Sequence, residues 1–215
     1  AHFALETLTE IVRPGKAENP VSAIAELNAV RFGDSEQLSP QKNFIESLRA
    51  AIPDDGILTY GMNQMGYYSR NYYQVYTPNT YFEPRGNLGA ALPIAMGAKV
   101  ARPEVPVVAC CGDGGLMYHI QELATAALYE IAVTIVVFND NSYGNVKRSQ
   151  QEDFDGRLVG VDLLNPDFIK LADSFGVKGT RAYDAVTLQR ELEQAFVGNE
   201  PVLIEVPVGE LERIY

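Results

Sequence analysis

The sequence has no tryptophan, two histidines and two cysteines among 215 residues. These shortages exclude a good deal. With only His2 and His119, and no CxxC pair, too few ligands remain for a zinc site. The cysteines are neighbours, Cys110 and Cys111, inside an apolar run. Adjacent strand residues point to opposite faces, so a disulfide between them is geometrically poor, and buried free thiols of a reducing, cytoplasmic compartment are expected. No apolar run approaches a membrane span, and no charged-then-apolar secretory stretch opens the sequence. Basic residues are also short: 17 Lys and Arg against 28 Asp and Glu give a formal net charge of −11. That balance, without a visible Lys/Arg cluster, argues against a nucleic-acid partner. Internal repeats and low-complexity segments are missing as well.

What is present is alternation. Apolar residues make up 47% of the chain, ample for a single core. Strand and helix patterns alternate from residue 41 onward. They predict an α/β fold, a doubly wound, mostly parallel sheet with helices on both faces. Spacing predicts a helix over Gln41–Ala51, with Ser39 as N-cap and Pro40 at the first helical position. A strand at Ile57–Tyr60 and a small-residue helix over Ile94–Ala101 follow. The C-terminal part reads as a helix over Pro166–Phe175 started by Asn165, a strand over Val177–Ala182, a helix over Ala185–Val197 and a buried strand over Pro201–Val208. Six tyrosines between Tyr67 and Tyr81 read either as a partner-facing surface or as a plain half-buried helix.

The stretch from Val105 to Val146 organises the rest. The run Val107–Cys111 ends on Gly112-Asp113-Gly114-Gly115, where missing β-carbons let backbone N–H groups approach an anion of phosphate size. The run Val133–Phe138 ends on Asn139-Asp140-Asn141-Ser142. In an open parallel sheet both ends fall on one edge. Asp113 and Asp140 are therefore expected to converge on one hard cation, with a turn carbonyl completing its shell. The bland alternative, two turn or cap carboxylates, leaves their pairing unexplained. Gly61-Met62-Asn63-Gln64 forms a third loop on the same edge. A nicotinamide-binding reading is disfavoured, because the turn is GDGG rather than GxGxxG.

Gly112-Asp113-Gly114, then roughly 25 residues, then Asn139-Asp140 resembles the thiamine-diphosphate fingerprint of the pyruvate oxidase, acetolactate synthase and 2-oxo acid decarboxylase superfamily. The resemblance covers nearly all of residues 38–208, including LSPQ at 38–41, G-x-LG-x-x-LP at Gly86–Pro93, NPDFIKLADSFGVKG at 165–179 and PVLIEVPV at 201–208. It implies that Asp113, Asp140 and the backbone carbonyl of Ser142 hold Mg2+. The family usually has Asn where Asp140 stands, so this chain carries one extra negative charge there. The resemblance also implies that Gly112, Gly114 and Gly115 present backbone to the diphosphate, that Asn63 and Gln64 lie on a loop reaching it, and that Tyr143 and Gly144 extend the cofactor-binding turn. Leu88 matches the apolar wedge beneath the thiazolium; without the motif it would read as ordinary core.

The activating glutamate of such enzymes lies on a pyrimidine-binding domain, for which this chain has no candidate, so no catalytic residue is expected here. Residues 1–35, with helical stretches at His2–Val12 and Val21–Asn28, read as an N-terminal cap or as a linker or tail of a preceding middle domain. The resemblance favours the second, leaving 36–215 as the thiamine-diphosphate-binding C-terminal domain. The implied partners are a pyrimidine-binding domain or subunit, a small 2-oxo acid and further copies in a homo-oligomer, dimer or tetramer. The implied activity is acetolactate-synthase-like: decarboxylation of a 2-oxo acid and transfer of the acyl carbanion to an acceptor. A non-ligating decarboxylase or lyase, and a non-catalytic regulatory or scaffold module, are the alternatives. The segment Tyr143–Gln150 lines the substrate pocket in relatives. Val146 replaces the glutamate of pyruvate decarboxylases, while Asn145 and Ser149 replace a Met and a Trp of acetolactate synthases. His119 reads as a pocket residue or, preferably, a surface or core histidine.

Overall fold

The computed structural model describes residues 39–84 and 86–211, together with Glu26. The chain divides into two units, Ala1–Gln37 and Leu38–Tyr215, and the second carries the fold described below. Apart from Glu26, the helical stretches expected before residue 35 lie outside the described residues.

Six strands form one all-parallel sheet in the order β2-β1-β3-β4-β6-β5. They are β1 (Ile57–Tyr60), β2 (Tyr81–Phe82), β3 (Val107–Gly112), β4 (Thr134–Asn139), β5 (Lys178–Arg181) and β6 (Val202–Pro207). The helices are α1 (Gln41–Ala51), α2 (Gln64–Tyr72), α3 (Ala91–Ala101), α4 (Asp113–Leu116), α5 (Glu122–Leu128), α6 (Gly144–Asp153), α7 (Phe168–Ser174) and α8 (Ala185–Val197). The fold is the doubly wound α/β class that alternation predicts. Among the described residues no helix is long and apolar enough to cross a membrane.

The central strands are buried on both sides, so they read as continuous apolar runs rather than as alternating ones. Leu58, Val108, Cys110, Val136, Phe138 and Ile204 join one core layer with α1, α2 and α8. Ile57, Val107, Ala109, Cys111, Ile135, Val137 and Leu203 join the other with α3, α5 and α7. Cys110 and Cys111 thus sit in different layers, both free and buried. Burial pushes both thiols up, Cys111 to about 12, and leaves them inert as nucleophiles.

The tyrosine-rich stretch resolves mainly into core. Tyr68 is fully buried and stacks on Tyr72 at 4.3 Å, Tyr73 stacks on Tyr81 at 5.7 Å, and Tyr76 is exposed.

Several element starts differ from the sequence reading. Pro40, not Ser39, takes the N-cap position of α1, and the Ser39 hydroxyl instead accepts a bond from the Asn43 amide. Helix α3 begins at Ala91 rather than Ile94, with Pro93 inside its first turn, where a missing N–H costs nothing. Asp167, not Asn165, caps α7, accepting from the N–H groups of Ile169 and Lys170. That frees the Asn165 side chain for the site.

Leu58 and Leu203 lie in opposite layers, with β3 and β4 between their strands. Truncating either to alanine should lower the unfolding free energy by about 2–5 kcal/mol in urea titrations. The losses should add to within about 0.5 kcal/mol in the double variant, given the separation of the two sites.

Candidate cofactor and metal site

Strand pairing builds the site. Gly112 is in register with Phe138, so Asp113 and the Asn139-Asp140 turn emerge side by side at the carboxyl edge. β1 leads outward to β2, whereas β3 lies on its other side, and a cleft opens where the direction reverses. It holds about 170 Å³, and all eleven residues expected from the sequence line it: Asn63, Gln64, Leu88, Gly112, Asp113, Gly114, Gly115, Asp140, Ser142, Tyr143 and Gly144.

The walls approach one another too closely for side chains at three glycines, Gly112, Gly114 and Gly144, a Cβ on the first falling 2.9 Å from Asn63 Cβ. A Cβ on Gly114 would fall 2.5 Å from the Tyr143 ring and 2.9 Å from Leu163. A Cβ on Gly144 would fall 2.5 Å from Asp140 Oδ2 and 2.9 Å from Gln64 Nε2. Leu88 reaches the opposite wall, its Cδ1 lying 3.4 Å from the corresponding point on Gly115. Asn63 has a local duty besides: it caps α2, accepting from Gly66 N–H at 2.8 Å.

The turn after β4 is braced from within and without. Asn141 adopts φ 55°, a left-handed conformation that Asn tolerates. Asp140 Oδ1 accepts from Ser142 N–H at 3.1 Å. A returning strap pairs with the turn: Tyr143 N–H donates to Val161 O and Leu163 N–H to Asn141 O, each at 2.8 Å.

Asp113 is 2% exposed, and burial pushes its carboxyl upward. Burial also raises Asp140, to about 6, and the negative charge of Asp113 adds to the shift. The two carboxyls are close enough to share a hydrogen bond, which further holds the proton on Asp140. Two acids pressed together in this way are poised for a cation that would replace the proton.

Sequence reasoning missed Asn165. Its amide nitrogen donates to Asp113 Oδ2 at 2.5 Å, Asn139 Oδ1 at 2.9 Å and Asn141 Oδ1 at 3.3 Å, tying both strand ends together. Behind it, Asn139 Nδ2 donates to Glu205 Oε1 at 2.8 Å, and Arg181 Nε donates to Glu205 Oε2 at 2.7 Å. The available signal was Asp167 two residues on, a better N-cap, which leaves Asn165 without that job. Met62, Met65, Tyr67, Phe138, Val208 and Leu211 also line the cleft. Asn145 and Val146 are at its edge, whereas Ser149 turns away to donate to Asp153. His119 is outside the lining, its Nδ1 2.9 Å from the point where a Cβ on Gly89 would sit.

The family model described as "Thiamine pyrophosphate enzyme, C-terminal TPP binding domain" matches residues 60–206. The chain belongs to this family. Among curated proteins it is similar to a probable acetolactate synthase large subunit of Methanocaldococcus jannaschii, 30% identical over 190 residues, covering 84% of this chain and 32% of that protein. The acetolactate synthase of Bacillus subtilis is 33% identical over 172 residues, covering 79% and 30% respectively. A solved structure of the Rhodococcus jostii RHA1 thiamine diphosphate-dependent 4-hydroxybenzoylformate decarboxylase matches with a TM-score of 0.75 and 30% identity, covering 80% of this chain and 33% of that one. The chain thus spans about a third of the length of these relatives. It is an acetolactate-synthase-like thiamine-diphosphate-binding domain.

The residues of the cleft fit that cofactor. Among the described residues no three His, Cys, Asp or Glu side chains gather around a point. The donor set of two carboxylates suits a hard cation that takes its remaining oxygens from phosphate. Gln64 Nε2 is buried beside Asp140 without an acceptor, as expected of a donor awaiting an anion.

In metal-free buffer the raised Asp140 sets a sign for stability against pH. Its folded value lies above 3.8, so the folded state holds the proton more tightly. That stabilisation is present at low pH and lost as pH rises through about 6. Thermal melts in EDTA should show this decline, and Asp140→Asn should flatten it. Asn165→Ala leaves three oxygens short of a donor and should cost about 1–3 kcal/mol in chemical denaturation.

Proposed function

We propose that this chain holds the diphosphate and Mg2+ of thiamine diphosphate within an acetolactate-synthase-like enzyme that decarboxylates a 2-oxo acid and transfers the acyl group to an acceptor. The observation that carries this reading is the convergence of Asp113, Asp140 and Leu88 on one cleft at the carboxyl ends of β3 and β4. When bound, thiamine diphosphate supplies an electron sink for decarboxylation.

The chain's own residues bind and orient. Asp113, Asp140 and the carbonyl of Ser142 would hold the cation. Gly112, Gly114 and Gly115, with Gln64, would face the diphosphate, while Tyr143 and Gly144 close the turn beside it. Leu88, in the cleft lining, would be the apolar support for the reactive ring. The activating glutamate would come from a pyrimidine-binding domain or subunit, in a cytoplasmic homo-oligomer, dimer or tetramer, with residues 1–35 as the linker or tail of the domain before. Buried, unpaired cysteines support the reducing compartment.

A second reading, a non-ligating decarboxylase, is supported by the likeness to the 4-hydroxybenzoylformate decarboxylase and by Asn145 in the cleft lining, where acetolactate synthases carry a Met.

Calorimetry on the complete enzyme should show thiamine diphosphate binding that requires Mg2+, weakened by about 100-fold or more in Asp113→Ala and by roughly 10-fold in Gly144→Ala. Product analysis with pyruvate separates the two readings: a ligated product supports the first, free aldehyde the second. The isolated chain should turn over no pyruvate, and measurable turnover would refute its dependence on a partner domain.

A further inference from the structure

Arg148, on α6, is 7% exposed and forms no ion pair among the described residues. Burying a guanidinium without a carboxylate is costly, so a compensating role is to be sought in what it touches. Its Nη2 donates to Gln64 Oε1 at 2.9 Å and to the carbonyl of Leu211, while Nη1 is buried without an acceptor. Gln64 and Leu211 line the cleft; Arg148 lies behind them.

A guanidinium carries only donors, and an amide oxygen only accepts. The bond from Arg148 therefore decides which end of the Gln64 amide faces which way. With Oε1 held by Arg148, Nε2 is turned toward the metal turn, next to Asp140 and the Gly144 backbone, where it has no partner. Without Arg148 the amide could flip and present an oxygen to the site, which would repel an anion.

We propose that Arg148 is a positioning residue that locks Gln64 with its Nε2 donor aimed at the diphosphate end of the cofactor. Helix α6 follows the metal turn directly, so one rigid element carries both the turn and the group that sets the facing donor. The inference rests on the diphosphate-binding reading above.

The test is a double-mutant cycle on the complete enzyme, read as calorimetric affinity for thiamine diphosphate at saturating Mg2+ alongside the melting temperature without cofactor. Gln64→Met and Arg148→Met should each weaken binding by about tenfold, and the double variant should be no weaker than Gln64→Met alone. Gln64→Glu should lose affinity while its cofactor-free melting temperature holds or rises, because the new carboxylate pairs with Arg148. That separation of affinity from stability is one that a purely structural arginine would not give. Wild-type affinity in Arg148→Met, or losses that add in the double variant, would overturn the positioning role and leave the diphosphate site standing. Failure of the wild type to bind thiamine diphosphate would overturn both. If Arg148→Met does not fold, Arg148→Lys carries the cycle: an intermediate loss that vanishes beside Gln64→Met is expected, and one that persists overturns the proposal.

Discussion

Parallel pairing of β3 with β4 is the constraint from which the site follows. Because Gly112 stands opposite Phe138, the residues just beyond each strand reach the same height at the same edge. A shift of one residue would exchange every core-facing side chain on β4 for one meant for the other layer. Register is thus enforced by the burial of Ile135, Val136, Val137 and Phe138, far more strongly than by the polar residues that use it. Phe138 joins the two levels, packing edge-on against Phe44 of α1 at 5.6 Å while also lining the cleft.

Bringing two carboxyls to one point raises an electrostatic problem that the surroundings answer in layers. Asn165 places an N–H donor against Asp113 and the two asparagines of the neighbouring turn. Behind it the chain of bonds continues through Asn139 and Glu205 to Arg181, which also reaches Asp167 at 2.9 Å. The buried Glu205 thereby has a counter-ion without exposing the sheet. On the other side Arg148, midway along α6, holds the Gln64 amide by its oxygen. The raised carboxyls are what the surrounding protein atoms leave unneutralised, and in the proposed function a hard cation would complete the set.

Much of this was legible in the sequence because it depends on local patterns. Apolar runs ending in glycine or asparagine turns fixed the strand ends, and the alternation of elements fixed the layering. Ten of the eleven expected site residues follow such ends directly and could be found one loop at a time, whereas Leu88, in the loop before α3, was reached only through the family resemblance. Asn165 and Arg148 could not, because their importance depends on contacts across 52 and 84 positions of chain. The sequence around each offered a different job: a helix start for Asn165, a place in the segment expected to line the substrate pocket for Arg148. Ser39 and Ile94 misled at helix starts for a related reason, since cap preference is weak beside the packing that decides where a helix begins.

Strand β3 runs from the interior straight into the glycine turn and gives Cys110 to one layer and Cys111 to the other. Neither layer can therefore open locally without releasing the strand that carries the turn. Whichever of the two has the lower opening free energy sets how often the site is transiently unmade. The exchange protection of the Gly112–Gly115 amides thus reports on the weaker half of the whole domain rather than on the loop itself.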